Sequence, residues 1–93
     1  MANPLARIHG LNAQIDGVGV AIDQAIAERD MLTHIDDDAQ RDAAVTGRYE
    51  DRVDAKHTAR DVRRIDGYVE TLRNERTRLI RKRDRLVTRL AAG

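Results

Sequence analysis

The sequence predicts an all-α fold, an antiparallel helical hairpin or coiled coil that dimerises into a helical bundle. Three observations carry that expectation. Apolar residues recur three and four apart in two separate stretches, which is the spacing of a helix that buries one side. Of the 93 residues, 35% are charged, and the 41% that are apolar are mostly Ala, Leu, Ile and Val, a composition that suits coiled coils and not disordered chains. Between the two stretches the pattern breaks, leaving room for the chain to reverse.

The first helix is expected over about residues 4–35. Asn3-Pro4 supplies its start, because Asn accepts a bond from an orphan backbone N–H and Pro is tolerated at the first helical position. Its seam runs through Ile8, Leu11, Ile15, Val18, Ile22 and Ala25, then Arg29 and Leu32. Gly10, Gly17 and Gly19 fall inside it, each costing about 1 kcal/mol against Ala in a helix interior. They are weak points or places where another backbone comes close.

Asp36, Asp37 and Asp38 interrupt the seam, and an Asp followed by Gln40 or Asp42 can cap a new helix. A turn is therefore expected here, with a short helix from Ala39 to Thr46 and a second break at Gly47, so the bend lies within 36–47. The second long helix is expected over about 48–91. It carries Ile65, Leu72, Leu79 and Leu86 at one seam position and Val62, Val69, Arg76, Arg83 and Leu90 at the other. Folded back, the 8–32 seam meets the 62–90 seam in a single helical domain spanning 1–93.

Further apolar residues flank both seams: Ile80 and Val87, seven apart, beside the second, and Leu5 and Ile26 beside the first. Two helices cannot cover stripes that wide. A homodimer of hairpins, or a helical partner protein, would bury the remainder.

Charge is unevenly placed although the net is only +1. Residues 1–35 carry 2 basic and 4 acidic side chains, 36–61 carry 5 and 8, 62–72 carry 2 and 2, and 73–93 carry 8 and 2. A basic end following an acidic middle points to nucleic acid, to an acidic protein surface, or to pairing within the protein. The basic residues Arg73, Arg76, Arg78, Arg81, Lys82, Arg83, Arg85 and Arg89 surround the helix, as solvating charges do. The only aromatic residues, Tyr49 and Tyr68, lie outside this segment, so base stacking has no platform there. Arg76 and Arg83 occupy seam positions and admit two readings. Either their stems lie along the seam with the heads in solvent, or they pair with Asp or Glu of a partner, or with Asp16 or Asp23 of the first helix, and so set specificity.

Catalysis is not expected. With neither Cys nor Ser, disulfides, thiolate metal sites and the usual nucleophiles are excluded. His9, His34 and His57 are far apart in sequence, and His34 beside Asp36 to Asp38 reads as a solvated acidic turn. Gly17-Val18-Gly19 falls inside an amphipathic helix with no preceding strand, which is not a phosphate loop. No catalytic residue, cofactor or metal is therefore assigned. The longest apolar stretch, Val20 to Ile22, is too short for membrane insertion, and the missing Cys fits a reducing, cytoplasmic location.

Some resemblances follow from these residues. The 15 Arg against 2 Lys resemble the usage of proteins from high-GC genomes such as those of actinobacteria and their phages. A resemblance to small coiled-coil proteins of that type implies a phage-encoded modulator that captures a host coiled-coil protein. In outline the hairpin is similar to the small RNA-binding hairpin dimer of plasmid copy control, which implies nucleic-acid binding as the alternative. The segment Ile22 to Arg29, ending Ala27-Glu28-Arg29, resembles the first helix of the all-helical chorismate mutases, but no Lys occurs between Arg29 and Lys56 to complete the substrate-binding set. Length and plan are also similar to the small secreted WXG-type proteins. There is no Trp, however, and Tyr68 is followed four residues later by Leu72 and not by an acid. The expected function is thus a non-enzymatic interaction module for a helical partner, host or self.

Overall fold

The computed structural model describes residues 3–93, which form two long α-helices packed against each other, α1 (Pro4–Thr46) and α2 (Tyr49–Ala92), with no strand among them. Asn3 caps α1: its Oδ1 accepts the Leu5 N–H at 2.9 Å, and Pro4 at the first position has no N–H to satisfy.

The expected end of the first helix near 35 is corrected, since α1 continues to Thr46. Asp36 falls four residues after Leu32, on the same side of the helix, and the other helix supplies a partner for it. Its carboxylate accepts the Thr58 hydroxyl at 2.7 Å and the Gln40 side-chain amide at 3.0 Å. Asp37 and Asp38 stay exposed, so neither incurs a desolvation cost that would break the helix. The turn lies instead at the far edge of the expected interval. Gly47 has φ 62° and donates its N–H to the Ala43 carbonyl at 3.0 Å, the left-handed cap that glycine adopts without strain. The Thr46 hydroxyl then spans the turn, accepting the Arg48 N–H and donating to the Asp51 carboxylate. Glu50 and Asp51 place negative charge on the first turn of α2.

The chain divides into two compact units. In the first, built from residues 3–23 and 71–93, the helices run antiparallel, with Asn12 against Arg83 and Gly19 against Arg76. Ile8, Leu11, Ile15, Leu79 and Leu86 form its buried cluster, and Val18 and Ile80 pack on it. Ile22 and Leu72 are half-buried.

The second unit, Gln24–Glu70, is also antiparallel, with Arg29 3.9 Å from Asp66 and the Gln40 amide donating to the Ala55 carbonyl at 2.8 Å. Ala25, Ala55, Ile65 and Val69 are buried, and Ile26, Leu32 and Val62 are half-buried. Two of the four buried residues are alanines, so this core has little side-chain volume. Hydrogen bonds at Asp36 and Gln40 continue the pairing where large apolar side chains stop.

Candidate association surface

In the first unit, seven-residue spacing places Leu5, Asn12 and Gly19 along one side of α1 and Arg73, Ile80 and Val87 along one side of α2. Gly19 and Arg73 line the same groove, about 550 Å³, together with Ile22, Asp23, Arg76 and Thr77. The two lines therefore border one face. Leu90, seven residues beyond Arg83 on the seam, borders it as well.

This face is mixed along its length. At one end Leu5, Val87 and Leu90 are exposed to 49%, 45% and 49%, beside the half-buried Ile80. In the middle, Arg83 is tied down: Nη1 donates to Asn12 Oδ1 at 3.1 Å, while Nε and Nη2 donate to Asp84 at 3.2 and 3.1 Å. Its stem stays on the seam, and it reaches neither Asp16 nor Asp23. At the other end lies the groove. A Cβ added at Gly19 would sit 3.9 Å from Arg76 Nε, an ordinary contact, so the Arg76 head lies beside this glycine. Of the three glycines inside α1, only Gly19 meets a neighbour; additions at Gly10 and Gly17 meet nothing within 4 Å.

The outer side of α2 differs. Arg78, Arg81 and Arg85 line a surface hollow with Asn74 and Thr77. The eight basic residues of 73–93 taken together surround the helix, but Arg78, Arg81 and Arg85, three and four apart, share one side. Arg78 is engaged by Glu75, donating at 3.0 and 2.7 Å, and these bonds hold the Glu75 carboxyl below its usual range. In the second unit, Tyr68 borders a groove of about 410 Å³ with Glu28, Leu32, Asp61, Arg64 and Ile65.

The sequence reading missed two features of these surfaces. Asn12 was not singled out, because a single amide beside a seam has no periodic signal. The outer side of α1 in the first unit exposes Ala6, Gly10, Ala13, Gly17 and Val20 and carries no charge, a pattern that four-and-three counting from Ala6 would have found.

Among the described residues no group of three or more His, Asp or Glu side chains is placed to hold a metal, and no helix is long and apolar enough to cross a membrane. No family model, curated protein or solved structure matches the chain.

Proposed function

We propose that this chain is a non-enzymatic interaction module that binds helical partners through side-chain packing. One observation carries the reading: large apolar side chains stand uncovered on the same face as a charged groove. Among the described residues nine form the buried core, two of them alanines, and nine large apolar side chains are exposed. Isolated exposed residues need no explanation, whereas the heptad spacing and the register of the helices put Leu5, Val87 and Leu90 at one end of a single face, along which Ile80 is half-buried. An amphipathic helix laid on such a face gains about 25 cal/mol per Å² of apolar area covered, and Arg76, Asp23 and Arg73 select for its charges. The Arg-rich composition fits a phage-encoded protein whose partner is a coiled-coil protein of an actinobacterial host.

A second reading is favoured by the line of Arg78, Arg81 and Arg85, which suits a phosphate backbone. The two are separated by capture from an actinobacterial lysate with the full chain as bait, with and without nuclease. The packing reading expects a helical protein retained after nuclease and lost with Val87→Asp. Recovery that vanishes with nuclease and with Arg81→Gln, while Val87→Asp has no effect, overturns it in favour of nucleic acid.

A further inference from the structure

Resting on the association reading, we infer that the first occupant of this face is a second copy of the chain, related by a two-fold axis running along the helices. The argument is that the face complements itself. Turned half a revolution about such an axis, α1 of one copy lies over α2 of the other, antiparallel to it and at the same level. The exposed end then meets itself, Leu5 of one copy against Val87 and Leu90 of the other, which covers the side chains that the hairpin leaves open. At the groove, Asp23 lies on the α1 rim and Arg73 on the α2 rim. The same rotation brings each Asp23 to the partner's Arg73, making two opposite-charge contacts.

Surface area agrees. The chain exposes 6856 Å², whereas a folded monomer of its mass exposes about 5,400 Å². The excess, about 1,450 Å², is larger than the roughly 800 Å² that each partner contributes to a standard interface. α1 and α2 differ in charge, residues 73–93 holding 8 basic side chains and 1–35 only 2. Placing α2 over the partner's α1 avoids apposing the two basic segments, which an α2-to-α2 arrangement would force.

The test is the solution mass of the full chain and of two charge reversals, Asp23→Arg and Arg73→Asp, by light scattering across a dilution series. The wild type should have twice the 10.5 kDa of one chain. Each reversal alone creates two like-charge contacts and should weaken the dimer at least about tenfold. Mixing the two variants should restore it, because the mixed dimer again has two opposite-charge pairs. Rescue by mixing cannot come from an ion pair within one chain. Val87→Asp, checked for unchanged helicity, should also give monomers. A monomeric wild type, or single variants that stay dimeric, or a mixture that remains monomeric, would overturn the second-copy assignment. Continued loss of lysate capture in Val87→Asp would then leave the broader association reading standing, so the two fail separately.

Discussion

The Thr58 hydroxyl donates to Asp36 across the helix pair, 2.7 Å between Oγ1 and Oδ1, joining residues 22 apart in sequence. The Gln40 amide bonds the same carboxylate from one turn along α1. Those two bonds, Gln40 first and Thr58 second, with the charge of Arg63 nearby, hold the Asp36 carboxyl below its ordinary value against the opposing effect of desolvation. A carboxyl lowered in the folded state contributes stability that is present above its unfolded value and is lost as pH falls through the folded one. Acid should therefore loosen the second unit through Asp36. Thr58→Val should lower the melting temperature at neutral pH, with the difference shrinking at pH below both values. A difference independent of pH, measured by thermal melts with an NMR titration of Asp36, would show that the hydroxyl acts only through packing.

Glycines in α1 and in the turn should respond in opposite directions. At Gly17 an added Cβ meets nothing and the backbone is helical, so Gly17→Ala should stabilise the fold by about 0.5–1 kcal/mol. Gly47 has equally open surroundings but a φ of 62°, so Gly47→Ala should destabilise by about 1 kcal/mol. Urea denaturation with an unchanged m-value checks both.

Leu79 is 3% exposed and belongs to the main buried cluster. Leu79→Ala should cost about 2–4 kcal/mol, and Leu79→Asp should abolish folding, because a carboxylate would be buried without a partner. Leu72 is only half-buried, so Leu72→Ala should cost less. Far-UV circular dichroism and chemical denaturation report both effects, and equal costs at the two positions would contradict the burial pattern.

Arg83 sits on the seam between Leu79 and Leu86 and bonds Asn12. Replacing it with Leu extends the apolar cluster and leaves a half-exposed amide that water can satisfy, so stability should rise by about 1 kcal/mol. In a double-mutant cycle with Asn12→Ala, a coupling energy larger than that gain would show that the hydrogen bond outweighs the packing.

Periodicity reports which side of a helix is buried before any partner is known. The spacing of Ile8, Leu11 and Ile15 and of Leu79 and Leu86 was enough to predict an all-helical chain with two seams, because a helix repeats every 3.6 residues whatever it packs against. Asn3-Pro4 marked a start and Gly47 a stop for equally local reasons, namely cap chemistry and the left-handed backbone. Asp36 was misread as a break because its tolerance inside the helix depends on Thr58, which lies on the other helix. The face bordered by Gly19, Asp23, Arg73 and Arg76 likewise follows from the register of the two helices, and that register is set by which side chains interlock across the seam. The sequence alone thus determined the helices and their apolar sides through repeats along one chain. Tertiary structure decided that α1 runs on through Asp36 to the break at Gly47, the cross-helix partners of Asp36 and Arg83 and the composition of the exposed face, because each depends on contacts between residues far apart in sequence.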